Sequence, residues 1–134
     1  QRAIPSSGTM WTYTSPTWRQ ANGDAANQIE GVVGVVEDAT EIAIAVNAQN
    51  TIANTIVSLG IGINSTTVNS AQSCGATTGV VANSVLTNHA KYNGMLPLGR
   101  NVFTWLEWSS ASGTTTWFGG INEWITALTG RFFA

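Results

Sequence analysis

The side chains that could carry out chemistry are few in this chain. His89 is the only histidine and Cys74 is the only cysteine. A nucleophilic centre would need His89 beside Cys74 or a serine, together with a carboxylate that orients the imidazole. The two aspartates, Asp24 and Asp38, belong to no such motif. We therefore interpret His89 as a surface residue and Cys74 as an ordinary small residue.

Glycoside hydrolysis needs only two carboxylates at a fixed separation. Five glutamates are available for it: Glu30, Glu37, Glu41, Glu107 and Glu123. Glu107 is the most interesting, because it lies between Trp105 and Trp108 in a segment that we expect to be buried. The alternative role of this carboxylate is structural, as the partner of Arg100 or Arg131. No partnered acid and base is evident, so we expect no catalytic residue and no enzymatic activity.

Metal and cofactor chemistry finds little support in the residue types. One cysteine and one histidine cannot supply any familiar ligand set for structural zinc. The Gly60-x-Gly62 pair lacks a third glycine, and the residues around it have the pattern of a strand and not of a strand leading into a helix. The sequence therefore predicts no metal site and no cofactor.

Charge is scarce along the chain. Charged residues make up 9% of the sequence, against about 25% in a typical globular protein. The five basic residues are scattered and the net charge is −2, which argues against nucleic-acid binding, since that binding depends on neutralised phosphates. No apolar run approaches the roughly 20 residues that span a bilayer, so we expect no membrane insertion. The low charge also indicates that other subunits cover part of the surface.

Sugar binding is a better candidate than catalysis, because it uses flat aromatic rings beside amide and guanidinium groups on loops. Six tryptophans are many for 134 residues, and most are expected to lie in the core or at an interface. The candidates near loops are Trp18 with Arg19 and Asn22, and Tyr92 with Asn93 and His89.

Alternation with a period of two predicts half-buried strands at residues 41–49 and 55–64. The inward-facing residues are Ile42, Ile44, Val46 and Ala48 in the first strand and Val57, Leu59, Ile61 and Ile63 in the second. Further strands are predicted at residues 80–86, 102–108, 114–118 and 129–134. Residues 89–94 are expected to form a loop, and residues 121–128 either a helical turn or a strand.

No segment shows sustained helical periodicity. About eight short strands separated by turn residues predict an all-β fold, an antiparallel β-sandwich of jelly-roll-like type. Residues 1–8 are expected to form an arm that leads into a single domain at residues 9–134.

The segment 102–108 is apolar on both faces, with Phe103, Trp105 and Glu107 on one of them. A strand of this kind must be covered twice, once by its own core and once by something else. Gly60 and Gly62 leave a face of a neighbouring strand bare, so that another surface can approach closely. We expect these five residues to line the interface of a homo-oligomer, most simply a trimer. Two alternatives stay open. The opposite face, with Leu106 and Trp108, forms the interface instead, or a loop or arm of the same chain covers the outer face.

Several short motifs resemble those of small β-sandwich domains in tailed-bacteriophage structural proteins. They are WRQA at 18–21, NQIEG at 27–31, GIGINSTT at 60–67, FTWLEW at 103–108 and GTTTWFG at 113–119. The resembling domains lie at the ends of tail fibres, head fibres and related appendages, and they are commonly trimeric. No catalytic residue carries over from them.

The resemblance implies a virion protein, assembled in the cytoplasm of a bacterial host, that belongs to a fibre or head appendage and takes part in host-surface attachment. Its expected partners are further copies of itself, other virion proteins and a host-surface glycan. Two alternatives stay open: a capsid decoration or cement protein, and a non-catalytic carbohydrate-binding module.

Overall fold

The computed structural model describes residues 2–3, 10–34, 40–120 and 126–132 of the chain. These residues form antiparallel strands and one short 3-10 turn at Ala21–Gly23, without an α-helix. The strands are β1 (Arg2–Ala3), β2 (Met10–Thr12), β3 (Arg19–Gln20), β4 (Gln28–Val33), β5 (Thr40–Asn50), β6 (Ile56–Ile63), β7 (Ser73–Cys74), β8 (Ala76–Thr78), β9 (Leu86–Gly94), β10 (Gly99–Ser109), β11 (Thr115–Phe118) and β12 (Ala127–Phe132).

The first sheet is built around the long strand β5. Strand β9 pairs with one edge of β5, and β7 pairs with the far edge of β9. Along the other edge, β12 pairs with the first half of β5 and β11 with the second half. Strand β1 then pairs with β12, and β2 with β11. With each interrupted strand counted once, the order is β1/β2, β11/β12, β5, β9, β7.

The second sheet repeats this plan around β10. Strand β6 pairs with one edge of β10 and β8 follows β6, while β3 and β4 lie end to end along the other edge. The order is therefore β3/β4, β10, β6, β8. With each interrupted strand counted once and the two-residue strand β7 set aside, successive strands along the chain alternate between the two sheets, apart from β6 and β8. This is the connectivity of a jelly roll, which confirms the fold predicted from the sequence.

The core lies between the two sheets. Every second residue of β5 is buried, from Thr40 to Asn50, and the inward residues of β6 include Leu59 and Ile61. Both sets agree with the predicted alternation. Each fully buried aliphatic side chain of this size contributes about 1.5–3 kcal/mol to folding.

In two neighbouring segments the predicted strand and the predicted loop are exchanged. Residues 80–85, expected to begin a strand, form a turn and loop, whereas the expected loop at residues 89–94 lies within β9. Asn83 adopts a φ of 61° and donates its backbone N–H to the Asn50 carbonyl at 2.7 Å. The valines suggested a strand, but a left-handed asparagine and this hydrogen bond favour a turn.

The two ends of the chain are described in part. The expected arm at residues 1–8 is described only at Arg2–Ala3, which pair with Leu128 and Thr129 of β12. Residues 121–125 and 133–134 lie outside the described part, so the open choice for residues 121–128 is answered only from Ala127 onward, where β12 begins.

The chain changes sheets at Gly75, between β7 in the first sheet and β8 in the second. Its N–H donates to the His89 carbonyl at 2.6 Å, and its own carbonyl accepts from the Leu59 N–H at 3.4 Å. A Cβ at this position would lie 2.6 Å from the His89 carbonyl oxygen. Gly75 therefore ties the two sheets together at this edge, at a distance that no side chain permits.

Gly75→Ala is expected to lower the free energy of unfolding by about 1–3 kcal/mol, because the new methyl group overlaps backbone atoms that are held in a strand. Urea unfolding followed by tryptophan fluorescence measures this change. Gly34→Ala is the matched control, since no described atom lies within 4 Å of the Cβ it would add. Equal stability of the two variants would contradict the close packing at Gly75.

Candidate functional site

The most unusual group in the structure is the carboxylate of Glu107. Glu107 on β10 is the register partner of Arg19 on β3, so both side chains project from the same face of the second sheet. Arg19 Nε donates to Glu107 Oε1 at 2.7 Å. The Glu107 side chain is 0% exposed, while that of Arg19 is 35% exposed. The ion pair therefore joins a buried anion to a cation at the edge of the sandwich.

Two further donors complete the shell around this carboxylate. Trp11 Nε1 donates to Glu107 Oε2 at 2.6 Å, and the Asn22 backbone N–H donates to Oε1 at 3.1 Å. Trp11 lies on β2 in the first sheet, so its hydrogen bond crosses the core from one sheet to the other. We call Glu107, Arg19, Trp11 and the Asn22 amide the Glu107 cluster.

Aromatic rings enclose the Glu107 cluster. The ring of Trp105 meets that of Trp11 edge to face, with centroids 5.4 Å apart. The Arg19 guanidinium lies over the Tyr13 ring, with Cζ 3.8 Å from its centroid. The Tyr13 hydroxyl is placed by its hydrogen bond to the Thr17 carbonyl at 2.8 Å. Stacking and ion pairing together hold Arg19 in one orientation.

Burial raises the pKa of the Glu107 carboxyl, because a low-dielectric surrounding disfavours its charged form. The hydrogen bond from Trp11, the charge and hydrogen bond of Arg19, and the Asn22 amide all act in the opposite direction. All three neighbouring groups are donors, which suits an ionised carboxylate. The arrangement is that of an anion held in place by its protein surroundings.

Arg100 or Arg131 was predicted as the structural partner of Glu107, and the partner is Arg19 instead. Arg100 pairs with Glu30, its Nε donating to Glu30 Oε2 at 3.0 Å. The register of β3 on β10 decides the choice, because it sets Arg19 directly opposite Glu107.

The first set of candidate ligand residues is split between two faces of the second sheet. Arg19 projects toward Glu107, whereas Trp18 lies on the outer face, with its ring over Gly60. The Trp18 and Trp108 rings lie 6.4 Å apart and are both half-buried. Asn22 contributes its backbone amide to the Glu107 cluster. These three candidates therefore do not share one surface.

The second set lies on β9 in the other sheet. His89 and Asn93 are exposed on one face of this strand, while Tyr92 packs toward the core from the opposite face. The Tyr92 hydroxyl donates to the Met95 carbonyl at 3.1 Å. His89 and Asn93 thus share a strand face, without the aromatic ring that a sugar site was expected to use.

The prediction that Gly60, Gly62, Phe103, Trp105 and Glu107 line a subunit interface is wrong, because the chain buries all five itself. Phe103, Trp105 and Glu107 face the core. Gly60 and Gly62 lie beneath Trp18, Asn69 and the Ser65 carbonyl. The second alternative is the one that the structure adopts: a loop of the same chain, residues 64–72, covers the outer face together with Trp18.

Sequence reasoning missed Trp11 and the Asn22 amide as partners of Glu107. The contact of Trp11 spans 96 positions and that of Asn22 spans 85, so no local pattern indicates either. A buried carboxylate between tryptophans was the only available signal, and it pointed to the correct glutamate.

Within the described residues, no group of three or more histidine, cysteine or acidic side chains is placed to hold a metal ion. No helix in that part of the chain is long and apolar enough to cross a membrane.

Comparison of the chain with protein-family models and with curated protein sequences gave no match. The function is therefore inferred from the sequence and the geometry of this chain alone.

Trp11→Phe is expected to lower the free energy of unfolding by about 1.5–3 kcal/mol beyond the loss of ring volume, because a hydrogen bond to a charged group is removed and Glu107 stays buried. Trp117→Phe is the matched control. Its Nε1 donates to an uncharged acceptor, the Tyr13 carbonyl, at 3.2 Å, so its hydrogen bond contributes about 0.5–1.5 kcal/mol. Urea unfolding of both variants compares them, and an equal loss would contradict the special role of Glu107.

Glu107→Gln is expected to change how stability depends on pH. A carboxyl whose pKa is raised on folding binds its proton more tightly in the folded state. The stability that this carboxyl adds to the folded state is therefore fully present below pH 4.5, the usual pKa of glutamate. This stability is lost as the pH rises through the higher pKa of the folded state. The advantage of the wild type over Glu107→Gln, measured by urea unfolding across this range, should shrink as the pH rises.

Glu30→Gln serves as the control with the opposite sign. The hydrogen bond and charge of Arg100 lower the pKa of Glu30 below 4.5. The advantage of the wild type over this variant should therefore grow as the pH rises toward and above that value. The same trend in both variants would show that Glu107 does not titrate as its burial predicts.

Proposed function

We propose that this chain is a jelly-roll module of a bacteriophage appendage, such as a tail or head fibre, that assembles with copies of itself and attaches the particle to a host surface. Jelly rolls include viral capsid and lectin domains, which agrees with the motif resemblance in the sequence. The proposed module is not an enzyme. Glu107, the strongest catalytic candidate, is fully buried and accepts three hydrogen bonds, a state that suits a structural role.

The proposal is carried by one end of the sandwich, which we call the loop end. Four connections meet there, at residues 13–18, 51–55, 79–85 and 110–114. Hydrogen bonds join them: the Thr51 N–H donates to the Thr114 carbonyl at 3.1 Å, and the Asn54 N–H donates to the Gly79 carbonyl at 2.5 Å. None of the four connections contains a charged residue, although the chain has twelve of them elsewhere.

The loop end is also apolar. Ile52 is 51% exposed, Val80 79%, Val81 66% and Val85 38%. Four exposed aliphatic side chains on neighbouring loops are uncommon on an isolated soluble protein and indicate a contact surface. Their burial against a partner would be favourable by about 25 cal/mol for each Å² of apolar surface removed from water.

Hydrogen bonds from Asn50 hold these side chains in position. Asn50 Nδ2 donates to the Ser112 carbonyl at 2.9 Å and to Thr115 Oγ1 at 2.7 Å. Asn50 Oδ1 accepts from the Ile52 N–H at 2.8 Å. The loops are therefore ordered before any partner arrives, which reduces the entropy lost on association.

The partner proposed for the loop end is a second copy of this chain. In a symmetric oligomer the same patch is buried in every subunit, and a charge close to the symmetry axis would meet its own copies. A patch without charge avoids that repulsion. The assembly expected from the sequence, a trimer, can therefore form through the loop end in place of the strand faces that the chain itself buries.

Val80→Asp is expected to convert the oligomer into a monomer of 14.1 kDa, because it places a carboxylate in a contact that repeats in each subunit. Multi-angle light scattering over a range of protein concentrations measures the mass. Val32→Asp is the matched control, since Val32 is 74% exposed on β4, away from the loop end.

A wild-type chain that is monomeric at every concentration would refute assembly through the loop end. If that monomer instead binds capsids or other virion proteins, and Val80→Asp abolishes the binding, the alternative of a decoration or cement protein replaces the fibre module. An oligomer that persists in Val80→Asp would place the subunit contact elsewhere on the chain.

A further inference from the structure

The outer face of the second sheet carries an open groove of about 500 Å³ near its β4 edge. Its lining residues are Gln28, Asn64, Ser65, Thr66, Val102 and Thr104. The volume falls within the range of about 300–1,000 Å³ that is usual for small-molecule sites. None of the lining side chains is charged, and all except Val102 carry an amide or a hydroxyl group.

The floor of the groove contains a polar group without a partner. Thr104 is 1% exposed and lines the groove. Among the described residues, no group forms a hydrogen bond with its hydroxyl. The Thr104 hydroxyl is not one of the fully enclosed unpaired groups of the described residues, so a ligand in the groove can supply its missing hydrogen bond. The side chains of Gln28 and Thr66 likewise make no hydrogen bond within the described part of the chain.

The wall of the groove is held rigidly. The Asn64 N–H donates to the Val102 carbonyl at 2.8 Å, and Asn64 Oδ1 accepts from the Val102 N–H at 2.8 Å. Ser65 Oγ caps the following turn by accepting from the Val68 N–H at 3.0 Å. Gly62 lets the Ser65 carbonyl lie directly on β6. The free side chains therefore project from a fixed backbone, which suits binding without a large ordering cost.

The chemistry of the lining selects a class of ligand. Hydroxyl and amide groups both donate and accept hydrogen bonds, as the hydroxyl groups of a sugar do, and Val102 offers an apolar contact for a ring C–H face. A phosphate or carboxylate would find no unpaired cation, because Arg100 beside the groove is paired with Glu30. Strand addition onto β10 is also blocked, since this strand is hydrogen-bonded along both edges.

We propose that this groove binds a neutral saccharide through Gln28, Thr66 and Thr104. The inference rests on the proposed function, because it gives host-surface attachment a ligand class and a site. It differs from the aromatic sites expected from the sequence, since the groove has no aromatic ring in its lining. Binding through hydrogen bonds and one aliphatic contact should be weak for one sugar and should be strengthened by the several copies in an oligomer.

Titration of the full chain with the methyl glycosides of glucose, galactose, mannose and N-acetylglucosamine tests the proposal. Two-dimensional amide NMR spectra should show shifts that saturate with at least one glycoside and centre on Gln28, Thr66 and Thr104. Glucuronate is the charged comparison and should bind more weakly. The proposal fails if no glycoside shifts these amides, if the shifts centre on Trp18 and Trp108 instead, or if glucuronate binds best.

Thr104→Val separates binding from folding. The substitution keeps the side-chain shape and removes the unpaired hydroxyl, so the melting temperature should stay the same or rise, while the affinity for the glycoside falls about tenfold or more. Thr12→Val, the same change at an exposed site on β2 in the other sheet, should leave affinity unchanged. Unaltered affinity in Thr104→Val, or a loss of stability, would overturn the proposed role of the hydroxyl.

The two proposals can fail separately. Oligomerisation through the loop end is measured by mass, whereas groove binding is measured by NMR on the same protein. A chain that assembles but binds no glycoside would retain the proposed structural role and lose the saccharide site.

Discussion

The arrangement of the strands around β10 depends on the burial of one charge. Transfer of the Glu107 carboxylate from water into the core is unfavourable by several kcal/mol unless donors replace its lost hydration. Trp11 supplies one donor from the opposite sheet, Arg19 supplies a second from the neighbouring strand, and the turn at Asn22 supplies a third. Since these groups come from three separate segments, satisfying one carboxylate determines where each segment must lie.

The same scaffold presents two surfaces of different character. The loop end is apolar and carries no charge, which suits contact between identical subunits. The groove on the outer face of the second sheet is polar and also uncharged, which suits a ligand rich in hydroxyl groups. Both are built on short connections fixed by asparagine hydrogen bonds, from Asn50 at the loop end and from Asn64 at the groove. The two surfaces for which partners are proposed therefore both lack charged residues, in keeping with the low charge of the sequence.

Local patterns predicted much of the fold because each strand has one face in the core. The alternation in β5 identified its four inward aliphatic residues, and the two apolar faces of β10 indicated that this strand is covered on both sides. The errors at residues 80–94 have a physical cause. Val80 and Val81 have strand propensity, but their backbone follows a turn that is set by a hydrogen bond to the end of a distant strand. In β9 the exposed polar side chains alternate with inward residues of mixed type, among them Asn88, Ala90 and Tyr92, so no apolar stripe marks it as a strand.

The sequence by itself determined the strand faces, the jelly-roll class and the importance of Glu107, because these follow from residue type and a period of two. Only the tertiary structure decided which groups meet. Arg19 and not Arg100 pairs with Glu107, because strand register brings together residues that lie 88 positions apart. Likewise, the bare face at Gly60 and Gly62 is covered by Trp18 and residues 64–72 of the same chain. A glycine face shows that something packs closely on it, and the path of the chain decides what that is.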